Sequence, residues 1–397
     1  MLHARLKHLA GGAAAFALVA SAPALAQDFP LELDTEHARI SVERVAGGLV
    51  HPWALAIMPD GRMLVTERDE GQVRIVTRDG EISDPLEGAP EIFRYEGVTE
   101  RSQAGLFDVK LHPGFEDNRY VFLSYSAPTE RGAALTITRY TLEEDGDGYR
   151  LADAQEVFQM QEDDQDSSGL HFGGRMLIHE GHVYLTIGDR RNISRAQDME
   201  DQAGSIVRVA LDGSIPDDNP FVDDDEANDA LFSVGHRNIQ AITVNRETGE
   251  IWVVDHGPEG GDEINLVEAG ENYGWPFLTG GVDYSGAPMG VGIEREGMVS
   301  PRHIFQGTVA PSGVVVYDGE MFAPWAGDLI VGGLMTRGIV RVRFLDDAVA
   351  EERLEFDRRV RDVQIDEEGA LWLVTDHEDG DLLRVTLVDE PEATGAQ

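Results

Sequence analysis

One pattern recurs through this chain and constrains its fold more than any other feature. A turn carrying Gly or Asp leads into an alternating apolar strand, and an acidic or small polar residue follows at the strand's end. The copies are PDGRMLVTER (59–68), EDNRYVFLSYS (116–126), HEGHVYLTIGDR (179–190), ETGEIWVVDHG (247–257), FAPWAGDLIVGG (322–333) and EEGALWLVTDH (367–377). Most are followed by another short strand with a basic residue: GQVRIVTR, LTITRYT, GSIVRVAL, RGIVRVRF and DLLRVTL. Short strands, frequent turns and little helical periodicity argue for an all-β protein. Units of this kind cannot bury both faces alone and must stack on their neighbours. The expectation is therefore a six-bladed β-propeller of four-stranded antiparallel blades, forming a single domain over 27–388. A sandwich or a β-helix accounts less well for the long, unequal insertions between similar hairpins. The segment ISVERVAGGL (40–49) is expected to close the ring with the last blade, and DEPEATGAQ (389–397) to be a disordered tail.

Composition narrows the setting. Arg5 and Lys7 form a short basic start, Leu9 to Val19 is mostly apolar and small, and Ala24-Leu25-Ala26 offers a cleavage site. Residues 1–26 thus read as a signal peptide, and the protein as periplasmic or secreted, without membrane insertion. The absence of cysteine excludes disulfides, thiolate metal sites and a cysteine nucleophile. Against 74 acidic residues stand 32 basic ones, a net charge of −42, and Lys110 is the single lysine beyond Lys7. Such a surface repels nucleic acid and anionic membranes. It suits high salt, and it makes any arginine cluster stand out.

The stretch HGPEGGDEINLVEAGENYGWP (256–276) directly follows the apolar run IWVV. Its glycines allow tight turns with exposed carbonyls, and its acids add carboxylates, the oxygen ligands that a hard cation such as Ca2+ takes. A rigid, aromatic Tyr-Gly-Trp-Pro follows at once, which suggests a calcium site beside a ligand pocket. Elsewhere, His171 in GLHFGGRM is a candidate base, with glycines that let a ligand approach the backbone. Taken alone, such a histidine is more often structural. Gln103 has an amide that can donate and accept. Arg237 and Asn238 are adjacent, so they can face one ligand only from a bend or loop. Arg359 and Arg361 are two apart and would share a strand face, suited either to capturing a carboxylate or phosphate or to pairing with nearby acids. No G-x-S-x-G elbow occurs, and no G-x-G-x-x-G sits in a strand-to-helix setting.

In order, HPWALAIMPDG, QAGLFDVKLHPGF, HFGGRM, GHRNIQ, HGPEGGDEINLVEAGENYGWP and RVRDV resemble the soluble aldose and glucose dehydrogenases that depend on pyrroloquinoline quinone (PQQ). The resemblance runs from about Val45 to Val385. It implies a six-bladed propeller carrying PQQ on its top face and oxidation of an aldose sugar to a lactone. His171 matches the catalytic base, which takes the hydroxyl proton while a hydride passes to PQQ. Gln103, Arg237, Asn238 and Tyr284 match contacts to the cofactor, as do Met335, Thr336 and Arg337. Arg359 and Arg361 match the pair that holds its carboxylates. Gly257 and Pro258 match carbonyl ligands of the calcium ion that touches PQQ. Glu263 and Tyr273 match a further, structural calcium site.

Two positions depart from the family's pattern. Met335 stands where a lysine is frequent, leaving Arg337 as the replacement cation. Leu170 replaces an aspartate of the glucose branch, which points to the aldose branch. An electron acceptor downstream of PQQ is implied, and monomer and homodimer both remain open. The rival readings are a calcium-dependent lactonase propeller, which needs no arginine clamp, and a non-catalytic binding propeller.

Overall fold

The structure is a computed structural model that describes residues 29–95, 102–146, 148–346 and 348–388. The expected signal peptide (1–26) and tail (389–397) lie outside the described residues.

Each of the six recurring segments forms the second strand of its own blade: Met63–Glu67, Tyr120–Thr129, His182–Ile187, Ile251–Asp255, Leu329–Gly333 and Leu371–Thr375. Each pairs antiparallel with an innermost strand: Pro52–Ile57, Leu106–Leu111, Gly173–His179, Ile239–Val244, Pro311–Val316 and Val360–Ile365. The six innermost strands touch one another in sequence, and the last returns to the first. The result is a closed six-bladed propeller in which blades three and six stand opposite each other.

Second strands such as Met63–Glu67 and Leu371–Thr375 are buried along their whole length, because a neighbouring blade covers each face. Outer strands such as Val349–Glu355 keep partly exposed side chains. The burial turns a hairpin pattern into a ring: Trp372, Leu382 and Val374 of blade six share a core cluster with Leu55, Met63 and Val65 of blade one.

Blades two to five have four strands each. Blade one has three, with a single further bridge between Val76 and Ile82. Blade six has five. There Arg39–Leu49 pairs with the last strand, Gly380–Leu387, so the start of the chain closes the ring as expected, and Leu31–Asp34 adds an edge. Among the described residues no helix is long and apolar enough to cross a membrane.

The ring is tied at its centre by Arg175, which is 2% exposed. Its guanidinium donates to the carbonyls of Gln240 (2.8 Å) and Arg361 (2.7 Å). It also lies 2.9 Å from Asp362 and 3.9 Å above the Trp53 ring. One buried cation thereby joins blades one, three, four and six, and each N–H it commits has an acceptor, as burial of a charge requires.

Candidate active site

The N-terminal ends of the innermost strands and the C-terminal ends of the second strands meet on one face of the ring. They surround a cavity of about 970 Å³. Gln103, Asn238, Met335, Arg337, Arg359 and Arg361 all line it.

His171 sits at the head of blade three, 5% exposed. Its Nδ1 lies 2.6 Å from Asp189 Oδ1, and its backbone N–H donates to Gln103 Oε1 at 2.7 Å. Among the described residues Nε2 has no partner. That pattern fixes the tautomer: Nδ1 carries the proton toward Asp189, and Nε2 is the free base. Asp189 is itself held, since its other oxygen accepts the indole N–H of Trp275 at 2.8 Å. Burial keeps the His171 imidazole below its usual value, outweighing the opposing hydrogen bond that it donates to Asp189, and the Arg237 charge pushes the same way. Asp189 stays below the usual carboxylate range although burial opposes this, because His171 and Arg237 favour its charge.

Arg237 and Asn238 occupy a bend before the innermost strand of blade four, the setting that lets neighbours in sequence face one site. Both backbone N–H groups donate to the carboxylate of Asp255, at 2.9 and 2.7 Å. Asn238 Oδ1 accepts the N–H of Gly173, two residues beyond His171. The Arg237 guanidinium donates to the His256 carbonyl (3.0 Å) and to the Tyr284 hydroxyl (3.1 Å). Tyr284 is 59% exposed and does not itself line the cavity.

On the opposite side, Arg359 and Arg361 do not share the face of a regular strand. Arg359 precedes Val360–Ile365, and the pairing with the next strand shifts between Val360 and Asp362. Their guanidinium groups converge instead on Asp376, which also binds His51 Nδ1 at 2.9 Å. With Arg68 this places three arginines and His51 around one carboxylate. Burial opposes charge on Asp376, yet Arg361 and His51 hold it far below the normal range. The same hydrogen bond raises His51 above its ordinary value. Pairing with a nearby acid and facing the cavity are therefore both true of this arginine pair.

Met335 is 58% exposed at the cavity mouth, and Arg337, the candidate replacement cation, is paired with Asp357 at 2.5 Å. The charge it offers a ligand is therefore already shared.

Two groups of residues fit the implied ligands. A polar, multiply charged cofactor suits a cavity walled by amides on one side and an excess of cations on the other. Nearby, Thr336 Oγ1 and Arg361 Nε are buried without partners, which leaves polar capacity for a ligand. A hard cation suits the segment 256–265. At Gly257 a Cβ would come within 2.1 Å of the Gly260 carbonyl oxygen and 2.6 Å of that of Gly261, so only glycine allows this crowding of carbonyls. Pro258 follows at once. Asp255 and Glu263 are direct cross-strand partners, an arrangement of like charges that costs stability unless something positive intervenes. Burial and the neighbouring Asp255 push Glu263 up to about 8. Asn265 Oδ1 beside it is buried without a donor. Tyr273 is placed one layer away, its ring stacked on His236 at 4.8 Å, and His236 Nδ1 lies 3.9 Å from Asp255. Among the described residues no three His, Asp or Glu side chains converge into a metal cage. An ion here would rest chiefly on carbonyl and amide oxygens.

Sequence reasoning did not single out Asp189, Asp376, Asp255 or Glu67. The signal was present: all four are the acids that end the recurring strand pattern, and all four come to this face. Glu67, for instance, accepts the N–H of Val50 at 2.6 Å. His51, Arg68 and Gln240 carried no comparable mark.

The sequence pattern of the Glucose / Sorbosone dehydrogenase family matches residues 49–384. The chain is 36% identical to the aldose sugar dehydrogenase YliI of Escherichia coli, over 88% of this chain and 93% of that protein. Against the quinoprotein glucose dehydrogenase B of Acinetobacter calcoaceticus it is 26% identical, over 84% of each. The apo-form crystal structure of the soluble E. coli aldose sugar dehydrogenase superposes with a TM-score of 0.81 at 33% identity, covering 88% of this chain and all (100%) of that one.

Proposed function

Because this chain belongs to the glucose/sorbosone dehydrogenase family, we propose that it is a quinoprotein of the periplasm that oxidises aldose sugars at the anomeric carbon to lactones. The observation that carries this reading is the His171–Asp189 pair (2.6 Å), whose neighbours Gln103, Phe172 and Gly173 line the cavity that also gathers Arg359 and Arg361. A base with a free Nε2 meets an anion clamp across a space large enough for a tricyclic acid and a sugar ring.

PQQ, when bound, supplies the acceptor for the hydride, and calcium beside it a Lewis acid. The protein's own groups do the rest. His171 takes the anomeric hydroxyl proton at Nε2, and Asp189 stabilises the imidazolium so formed, as the carboxylate of a triad does. The anomeric carbon gives up its hydrogen with the electron pair and becomes the lactone carbonyl. Arg237 and Asn238 are donors placed where negative charge grows, preorganised by Asp255 beneath them. Arg359 and Arg361 would hold the carboxylates of PQQ, and the Gly257 and Pro258 carbonyls and the Glu263 and Tyr273 oxygens would hold calcium.

The test is direct. Purified protein is given PQQ and calcium, then a dye acceptor and several aldoses. Sugar-dependent dye reduction with lactone as product is expected. PQQ binding without dye reduction by any aldose would sink the oxidation, and lactone hydrolysis by calcium-loaded, PQQ-free protein would move the assignment to a hydrolase.

A further inference from the structure

The main chain that delivers His171 is held by an arginine with no part in the chemistry. His171 has φ 50°, a left-handed conformation uncommon outside glycine that persists only where its surroundings dictate it. The surroundings are specific. The Gln103 N–H donates to the Gly169 carbonyl at 2.7 Å, and Gln103 Oε1 accepts the N–H of His171 at 2.7 Å. The two remaining carbonyls before the histidine, Ser168 and Leu170, both accept from the guanidinium of Arg190, each at 2.5 Å. That guanidinium also lies 3.3 Å from Asp166 and 3.6 Å over the ring of Phe172, the residue after His171.

Arg190 directly follows Asp189. Successive positive φ angles at Arg190 (53°) and Arg191 (63°) turn the first side chain inward, 4% exposed, while Arg191 stays at the surface. One dipeptide thus grips the imidazole with its carboxylate and the backbone behind it with its guanidinium. Burial pulls Arg190 down to about 10, so it remains a cation at neutral pH. A lysine could not replace it, because one ammonium cannot span two carbonyls, a carboxylate and a ring face together.

We propose that Arg190 is a positioning residue for sugar oxidation: it fixes the 168–171 main chain so that His171 keeps its bond to Asp189 and directs Nε2 at the substrate. The proposal rests on the reading of His171 as the base. It differs from a purely structural role in what it spares, since neither the arginine clamp nor the calcium segment touches Arg190.

Arg190→Ala and Arg190→Lys are compared with wild type, each as full-length protein loaded with PQQ and calcium. For Arg190→Ala, kcat is expected to fall about a hundredfold, the scale of a misplacement near 1 Å, with KM and PQQ affinity within about threefold of wild type. Methylguanidinium added to Arg190→Ala should restore kcat about tenfold or more, and Arg190→Lys should fall between without such rescue. Independently of turnover, the His171 ring is titrated by NMR in the PQQ-free protein. It is expected to titrate below its ordinary value in wild type and to move upward in Arg190→Ala as water reaches the ring.

Unchanged kcat in Arg190→Ala would overturn the proposal. So would a parallel loss of kcat, PQQ affinity and thermal stability without guanidinium rescue. If wild type shows no sugar oxidation, that reading fails by itself, and the His171 titration decides the positioning role: a shift keeps it, and no shift removes it.

Discussion

Asp189 and His171 are bonded at 2.6 Å across blade three, His171 just before the strand Gly173–His179 and Asp189 just after His182–Ile187, with Asp189 the more deeply enclosed of the two. Asp189→Asn keeps the shape but replaces a charge with a neutral amide, so the imidazolium formed during turnover loses its partner. We expect kcat to fall by about two orders of magnitude or more, with PQQ binding retained, read from dye-coupled kinetics and absorbance titration.

The pH profile follows from the same pair. The competent base is neutral His171, and burial holds its protonation below the ordinary 6.5. The charged, inactive form therefore appears only at lower pH. The acid limb of kcat/KM should lie below pH 6.5, and a limb centred above 6.5 would contradict the assigned environment.

Arg361 is buried in the cation cluster around Asp376, whereas Arg359 is half-buried. Arg361→Met should weaken PQQ binding about tenfold to a hundredfold, the scale of a hydrogen bond to a charged group, and Arg359→Met less. Fluorescence or absorbance titration with PQQ separates the two. Equal, negligible effects would remove the clamp.

Calcium should stabilise the protein. An ion present at a hundred times its dissociation constant adds about 2.7 kcal/mol, visible as a rise in Tm after chelation is reversed. In Glu263→Gln that rise should shrink markedly, while the metal-free protein should melt no lower than wild type, since a repulsive carboxylate facing Asp255 has gone.

Asp164 offers a test away from the chemistry. Burial raises it to about 6 from 3.8, while its Oδ2 accepts the N–H of Gln202. A raised carboxylate means the folded protein binds the extra proton between those two values, so this group's contribution to stability falls as pH rises from 3.8 through about 6 and is level above. Asp164→Asn should therefore stabilise at pH 7, by up to about 3 kcal/mol, and gain little near pH 4. Denaturant melts at both pH values decide it.

The strand pattern made the propeller legible because blade packing imposes one repeating requirement, two buried faces on every second strand. The closing strand Arg39–Leu49 was legible for the same reason, as an unpaired amphipathic run at the wrong end of the chain. The irregular blades were not: residues 77–95 carry no pattern that distinguishes a fourth strand from the single Val76–Ile82 bridge found there. At the site, His171, Arg237 and Asn238 stood out by residue type. Their supports did not, because Asp189 meets His171 across 18 residues, joined by the hairpin of blade three, and Asp376 meets His51 across 325, joined only by closure of the ring. Alternation also misled at Arg359 and Arg361, where an irregular register replaces a shared strand face with a shared carboxylate.

The closing strand has a consequence for the order of events during biosynthesis. Ile40 pairs with Leu387, so one of the first segments made must wait for one of the last. Until the final hairpin emerges, blade six lacks the strand that joins Leu371–Thr375 to Arg39–Leu49, and the circle of blades stays open. Closure of the cavity that gathers Gln103 and Arg361 is then among the final steps, and a chain truncated before Gly380 should bind no cofactor at all.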